Sequence, residues 1–199
     1  MPHDRRSWNY RGTMTDSPGS QASQGSRRIY SGRVIALDED QVQFPDGSTG
    51  LLAIVRHPGA SAVIPFLSNP RGDNPSILLI RQYRYAAGGF LLEVPAGRFD
   101  DGEKPEECAR RELLEETGCT AGQITHLTTV FTTPGFCDER IHLYMATDLR
   151  QGEPRREADE FIEPVTMPLS DALAKVERGE ILDGKTVISL LFAAGFRAR

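Results

Sequence analysis

The sequence contains little cysteine and no hydrophobic segment long enough to cross a membrane. Its 199 residues include three cysteines, and no two of them form a Cys-x-x-Cys pair. Scattered thiols in an odd number argue against a disulfide framework or a zinc ribbon and favour a reducing cytosol. The longest strongly apolar run, Val187 to Phe196, is shorter than the ~20 residues of a transmembrane helix. Residues 1–26 lack the apolar centre of a secretory signal. We therefore expect a cytoplasmic protein that does not enter a membrane.

Basic residues are also scarce. The chain has 23 Lys and Arg against 28 Asp and Glu, a net charge of −5. Five arginines and two aspartates lie in residues 1–28, so the remaining chain carries a charge of −8. Proteins that bind nucleic acid present a basic surface to the phosphate backbone. We therefore expect no nucleic-acid partner, and an RNA 5′-end hydrolase is disfavoured for the same reason.

The chain is predicted to consist of an N-terminal arm and one domain. Residues 1–28 are predicted to form a disordered or loosely held arm, because Thr15–Ser26 offers almost no side chain to a core. Within 29–199, alternation and turn residues predict strands over 29–37, 41–44, 50–56, 60–67, 77–84, 90–94, 124–132, 140–147 and 160–167. One helix is predicted with Pro105 in its first turn and Gly118 just past its end. A second is predicted from an N-cap at Ser170 to about Arg178, and a third over about 184–196. This order predicts an α/β sandwich around a mixed sheet.

Acidic residues concentrate in Gly97–Cys119 (GRFDDGEKPEECARRELLEETGC), which holds eight carboxylates. On the predicted helix, Glu112 and Glu116 are one turn apart and Glu115 is three residues from Glu112, so all three project from one side. Like charges at this spacing destabilise a helix by about 0.2–0.5 kcal/mol per pair. A hard divalent cation such as Mg²⁺ or Mn²⁺ would reverse that effect, because it prefers carboxylate oxygens. The alternative is an ordinary solvated acidic helix.

The same stretch resembles the Nudix box. A glycine, five residues, a glutamate, seven residues and then Arg-Glu-Leu-Leu-Glu-Glu-Thr-Gly match every specified position of that motif. The matching residues are Gly97, Glu103, Arg111, Glu112, Leu113, Glu115, Glu116 and Gly118, with Cys119 as an unusual last apolar residue. The resemblance implies hydrolysis of a nucleoside diphosphate linked to another group, within a Nudix-like α/β/α sandwich that has an N-terminal antiparallel strand region.

Flanking segments resemble the ADP-ribose pyrophosphatase branch of that family. Leu91–Ala96 leads into the box, Thr133–Glu139 follows it, and Pro134 lies sixteen residues past Gly118. This likeness implies cleavage of ADP-ribose to AMP and ribose 5-phosphate. It also implies a homodimer in which the strands of 29–57 lie at the interface.

The resemblance assigns two groups of residues in the box. Glu112, Glu115, Glu116 and the carbonyl of Ala96 are implied to hold two or more Mg²⁺ or Mn²⁺ ions. Gly97, Glu103, Arg111 and Gly118 are implied to be structural, with Arg111 bonding to Glu103 or to a neighbouring carboxylate so that the loop is fixed against the helix.

Outside the box, Glu139 is the candidate for proton removal, with Asp138 as its rival, because a small change in loop geometry decides which carboxylate points inward. Arg84 and Arg56 are candidates for substrate recognition, since a guanidinium can bind a phosphate or stack on a base. By resemblance, Arg56 would reach adenine from a partner subunit. Glu93 is a candidate for contact with substrate or with a metal-bound water.

Other residue types yield weaker candidates. Adenine usually stacks on an aromatic ring, but the one tryptophan, Trp8, lies in the arm, which leaves Tyr30, Phe44 and Phe136 as substitutes. His126 and His142 are interpreted as ordinary strand residues. The cysteines are interpreted as buried apolar fillers.

Two alternatives stay open. A broader nucleoside diphosphate sugar pyrophosphatase, for example one acting on GDP-mannose, would use the same pyrophosphate machinery. A non-catalytic sensor of ADP-ribose is disfavoured, because such proteins typically lose box glutamates and none is missing here.

Overall fold

An antiparallel sheet of three strands forms the N-terminal region. The structure, a computed structural model, describes residues 23–153 and 161–196. The first sheet has the order β1 (Ser23–Ser31), β2 (Ala36–Gln43) and β3 (Thr49–Arg56). The predicted arm is therefore wrong over 23–28, which belong to β1, whereas residues 1–22 lie outside the described residues. The predicted strand 29–37 is also wrong, because the chain reverses at Gly32, whose N–H donates to the Ile35 carbonyl at 2.9 Å.

Two further sheets form the body of the protein. A mixed sheet has the order β7 (Ala96–Arg98), β4 (Ala60–Pro65), β9 (Arg140–Gln151) and β8 (Cys119–Phe131), with β4 and β9 parallel. An antiparallel sheet has the order β10 (Ile162–Pro168), β5 (Ser76–Arg84) and β6 (Gly89–Glu93). The prediction of a mixed sheet is confirmed.

Three α-helices accompany the sheets. The box helix α1 (Pro105–Thr117) ends where Gly118 adopts a left-handed conformation with φ 76°, which glycine adopts without the steric cost of a Cβ. The helix α2 (Leu169–Glu177) has Pro168 at its N-cap, so the cap predicted at Ser170 is wrong. The helix α3 (Gly184–Phe196) has the predicted bounds. In the described part of the chain, no helix has the length and apolarity needed to span a bilayer.

Alternating side chains of β4 face two separate cores. Val63 packs with Ala109 and Leu113 of α1, while Ile64 packs on the opposite face with Leu190 of α3. This alternation follows from the two-residue repeat of a strand. Helices on both faces of the central strand make the predicted α/β/α sandwich, and they bring the start of β7 against the last turns of α1.

Candidate active site

The box glutamates of α1 lie against the Ala96–Gly97 segment of β7. Glu116 is 1% exposed, and its Oε2 accepts the N–H of Ala96 at 2.9 Å. Glu112 is 8% exposed, and its carboxylate occupies the space that a Cβ at position 97 would need. Position 97 therefore requires a glycine, because the Glu112 carboxylate approaches the backbone closely there. The box thus brings Gly97 and Glu112 into direct contact.

Arg111 ties the box loop to the helix. Its Nε and Nη2 each donate to Glu103 at 2.8 Å, and its Nη1 donates to Glu115 at 3.0 Å and also to Glu112. The hydrogen bonds from Arg111 lower the pKa of Glu103, and the reciprocal bonds raise the pKa of Arg111. The predicted bonding of Arg111 to Glu103 is confirmed.

The donor set of the box suits a hard divalent cation. Within residues 23–153 and 161–196, no group of three or more His, Cys, Asp or Glu is arranged so that it could hold a metal ion as it stands. Nevertheless, Glu112 and Glu116 are buried against the Ala96–Gly97 segment, and carboxylate and carbonyl oxygens are the ligands that Mg²⁺ takes. The residue types therefore fit the metal, although the three glutamate side chains are not arranged around a single point that could hold the ion.

A cleft of about 540 Å³ opens beside the box. Its lining includes Arg84, Ala96, Gly97, Glu139 and Lys185. A larger groove of about 970 Å³ lies at the other end of the mixed sheet, between the loop that follows β4, the strands β8 and β9, and α3. None of the box glutamates lines either cavity, but Ala96 and Gly97, which Glu116 and Glu112 contact, line the smaller cleft and not the larger groove. The smaller cleft is the candidate active site because acidic, basic and backbone groups converge there.

Two cations of the cleft share one buried carboxylate. Arg84 donates from Nε and Nη2 to the two oxygens of Glu93, both at 2.8 Å, and Lys185 of α3 donates to the same carboxylate. Glu93 is 1% exposed. Burial alone would raise the pKa of Glu93, but the bonds from Arg84 and the charge of Lys185 outweigh it and lower that pKa. The bond to Glu93 in turn raises the pKa of Arg84. Glu93 therefore faces the two cations rather than the open cleft.

Glu139, rather than its neighbour, lies on the cleft. Its Oε2 accepts a hydrogen bond from Thr132 Oγ1 at 2.9 Å, and its Oε1 is 3.4 Å from His57 Nδ1. The lining of the cleft includes Glu139, His57 and Thr132 but not Asp138. The Asp138 carboxylate instead accepts the N–H of His57 at 2.9 Å and Arg56 Nη1 at 3.1 Å.

Known proteins resemble this chain in sequence and in fold. A family model described as a NUDIX domain matches residues 57–187. The chain belongs to the Nudix family. An ADP-ribose pyrophosphatase of Bacillus subtilis (strain 168) is 40% identical over 167 residues, which are 83% of this chain and 88% of that protein. A GDP-mannose pyrophosphatase of Cronobacter sakazakii is 41% identical over 127 residues, 59% of this chain and 66% of that protein.

A solved structure of low sequence identity has a similar fold. The crystal structure of an ADP compounds hydrolase aligns with a TM-score of 0.74 at 22% identity, over 92% of this chain and 97% of that one. The Nudix model begins at residue 57, directly after the N-terminal sheet. Nudix hydrolases generally depend on divalent metals.

Arg56 and the aromatic candidates of this Nudix protein do not line the cleft. Arg56 is held by Asp38, Asp40 and Asp138. Burial alone would lower the pKa of Arg56, but these bonds outweigh it and raise that pKa. The ring of Phe136 is exposed. The predicted contacts of these residues with adenine stay predictions.

Tyr30 and Phe44, the other aromatic candidates, pack over glycines of the N-terminal sheet. The ring of Tyr30 covers Gly32 and the ring of Phe44 covers Gly50, and both rings stay partly exposed. Neither ring reaches the cleft in the single chain.

The histidines and cysteines mostly match their interpretation. His126 and His142 lie in β8 and β9, where each bonds to the hydroxyl of Thr129 at 3.0 Å. Cys108 and Cys119 are buried as predicted, whereas Cys137 is only half-buried. Burial raises the pKa of the Cys108 thiol to about 12, so this group beside the box is not a nucleophile at neutral pH.

Lys185 is the cleft residue that sequence reasoning missed. It is the second residue of α3 and lies far along the chain from the box. The docking of α3 brings it to the cleft, because Thr186 Oγ1 accepts the N–H of Val94 at 2.8 Å. A lysine in the first turn of a helix is out of place, since cations are disfavoured at the positive end of the helix dipole. A lysine in the first turn of a predicted helix is therefore the sequence signal that could have identified Lys185.

Proposed function

We propose that the protein hydrolyses the pyrophosphate bond of ADP-ribose, yielding AMP and ribose 5-phosphate. The observation that carries this proposal is the convergence, on one cleft, of the box segment Ala96–Gly97, the cations Arg84 and Lys185, and the loop carboxylate of Glu139. Similarity to an ADP-ribose pyrophosphatase over most of both chains supports the choice of substrate.

The box residues would hold the metal. Glu112 and Glu116, which contact β7, together with Glu115 and the Ala96 carbonyl, would supply oxygen ligands to two or more Mg²⁺ or Mn²⁺ ions. Bound divalent ions neutralise phosphate charge and make a water more acidic. Arg111 already contacts Glu112 and Glu115, so it would keep these carboxylates in place and partly neutralise them while the ions exchange.

Arg84 and Lys185 would bind the pyrophosphate. Both line the cleft, and a guanidinium and an ammonium are the groups that bind phosphate oxygens. Glu93 holds both cations from the buried side, so we propose that it orients them rather than touching substrate or a metal-bound water. Because Arg84 and Lys185 bond to the same Glu93 carboxylate, they would stay close together before the pyrophosphate binds.

Glu139 would take the proton of the attacking water. Its carboxylate lines the cleft and is oriented by the hydroxyl of Thr132, which donates to Oε2. The in-line attack on one phosphorus then needs no covalent intermediate on the protein. The rival base, Asp138, has both oxygens bonded to Arg56 and His57.

We also propose that the protein acts as a homodimer through its N-terminal sheet. Apolar side chains in this region are exposed in the single chain: Ile29, Tyr30, Val34, Ile35, Leu51 and Leu52. Exposed apolar patches of this kind mark interaction surfaces. The partner would bring its own Arg56 and aromatic rings near the base, and the free thiols fit a cytoplasmic location.

A substrate panel tests the proposed function. The protein is incubated with ADP-ribose, GDP-mannose and other nucleoside diphosphate sugars, with Mg²⁺ or Mn²⁺, and the products are identified. We expect ADP-ribose among the best substrates, AMP and ribose 5-phosphate as products, and no turnover after chelation. Preferred hydrolysis of GDP-mannose would favour the alternative that the relative from Cronobacter sakazakii suggests. Tight binding of ADP-ribose without hydrolysis would favour a sensor.

A further inference from the structure

The loop that carries Glu139 is attached to the end of β3. The N–H of Val55 donates to the Phe136 carbonyl at 2.7 Å, and the N–H of Asp138 donates to the Val55 carbonyl at 3.2 Å. Val55 and Cys137 form a parallel bridge. The last residues of the N-terminal sheet therefore form a short ladder with the loop directly before Glu139.

Asp138 adds side-chain bonds to this ladder. One oxygen accepts the N–H of His57 at 2.9 Å, and the other accepts Arg56 Nη1 at 3.1 Å. Arg56 is in turn held by Asp38, through Nε at 3.1 Å, and by Asp40. Both of these aspartates are buried on β2. A chain of charge-assisted bonds, which are stronger than neutral ones, thus runs from β2 to the loop.

His57 lies between the two neighbouring carboxylates of the loop. Its N–H is bound by Asp138, while its ring Nδ1 is 3.4 Å from Glu139 Oε1 and accepts the N–H of Gly59 at 3.1 Å. Asp138 therefore holds both the backbone next to Glu139 and the residue whose ring faces Glu139. Any change that releases Asp138 loosens two sides of the Glu139 environment at once.

We propose that Asp138 is a positioning residue which, with Arg56, fixes the loop so that the Glu139 carboxylate faces the cleft. This inference rests on the proposed function and deepens it, because it gives the two adjacent acids separate roles. It also gives Arg56 a role within its own chain, in addition to any contact with a base across a dimer.

A double-mutant cycle on kcat tests the proposal. With ADP-ribose and saturating Mg²⁺, we expect Asp138→Asn to lower kcat about 10- to 100-fold, since misplacing a reacting group by about 1 Å costs that much. The KM should change less than about threefold. Glu139→Gln should lower kcat by about 100-fold or more. Because Asp138 acts through Glu139, the double variant should match Glu139→Gln alone within about threefold.

Three outcomes of the cycle would overturn the proposal. Multiplied effects of the two substitutions would mean that Asp138 acts independently of Glu139. Normal activity of Glu139→Gln with an inactive Asp138→Asn would make Asp138 the base. Normal activity of Asp138→Asn would mean that the loop does not need the bond to Arg56.

Amide hydrogen exchange provides a readout that is independent of catalysis. Asp138→Asn and Arg56→Gln should both speed exchange in peptides covering 55–57 and 136–139, whereas Glu139→Gln should not. Asp46→Asn is the matched control, because within the described residues the Asp46 side chain accepts its hydrogen bonds from Ser48, in the β2–β3 turn. It should leave both exchange and kcat unchanged. If the wild-type protein hydrolyses no nucleoside diphosphate sugar, the proposed function fails, while unchanged exchange in both loop variants would overturn the positioning role by itself.

Discussion

The N-terminal sheet and the sandwich differ in whether they bury apolar side chains. In the sandwich, apolar residues such as Leu113 and Leu143 are fully buried. In residues 25–56, the buried residues are two aspartates, Asp38 and Asp40, while Leu51 is 65% exposed. Burial of apolar surface is the main force that stabilises a folded domain. The sandwich therefore has its own core, and the N-terminal sheet needs another surface to complete it.

The two regions also have different proposed roles in the reaction. The sandwich contains every group proposed to contact the pyrophosphate or the metal. The N-terminal sheet contributes Arg56, which bonds to the loop that carries Glu139. The N-terminal sheet can therefore influence the rate without holding substrate in its own chain.

Loss of one box carboxylate should have the largest effect. We expect Glu116→Gln to lower kcat/KM at least about a hundredfold, or ~3 kcal/mol, because a neutral amide is a poor ligand for a hard cation. Glu106→Gln is the matched control on the same helix, where Glu106 bonds to Arg110 away from the cleft. Steady-state kinetics with Mg²⁺ measure both variants. A loss below tenfold for Glu116→Gln would contradict its role as a metal ligand and would break the assignment of the chemistry to the sandwich.

Removing the charge of Glu93 should have an intermediate effect. We expect Glu93→Gln to raise the KM for ADP-ribose about tenfold, since Arg84 and Lys185 lose the group that orients them, and to lower the free energy of unfolding by about 1–3 kcal/mol. Arg81→Gln is a control on the neighbouring strand β5, because Arg81 pairs with the exposed Glu163. An unchanged KM would show that the two cations need no shared anchor.

The lowered pKa of Glu93 predicts that the stability of the protein depends on pH. The folded-state pKa of Glu93 is lowered, so its stabilising contribution is complete above the ordinary glutamate pKa of about 4.3. It is lost as the pH falls from there through the lowered value. Denaturant titrations between about pH 2 and 6 should therefore show a smaller pH dependence for Glu93→Gln than for the wild-type protein. Equal slopes would contradict the lowered pKa.

The sequence predicts those parts of the site that depend on local spacing. One helical turn brings Glu112 and Glu116 to one side, as the periodicity of a helix requires. Glu103 lies just before α1, so its bond to Arg111 depends on the short segment between them. The left-handed end of α1 at Gly118 is local in the same sense. These features require no knowledge of how the sheets pair.

Contacts between distant segments were not predictable in this way. Lys185 reaches Glu93 because α3 docks on β6, and Arg56 meets Asp138 because β3 runs beside the loop. Each of these contacts joins segments more than eighty residues apart in sequence. The continuous strand predicted over 29–37 failed for a local reason, because Ser31-Gly32 marks a turn there and the prediction gave more weight to the alternation of side chains around it.

A charged residue placed on the exposed face of the N-terminal sheet should change the stability of the sandwich least. It should, however, prevent dimer formation. We expect the wild-type protein to sediment at twice its chain mass of 22.0 kDa, and Leu51→Lys to sediment as a single chain, because a buried lysine opposes association. Leu191→Lys is the control, since Leu191 is equally apolar and exposed on α3 of the sandwich. Thermal unfolding of both variants should stay close to that of the wild-type sandwich. A wild-type protein that sediments as a single chain, or a Leu51→Lys variant that stays dimeric, would show that the N-terminal sheet is completed by something other than a second copy.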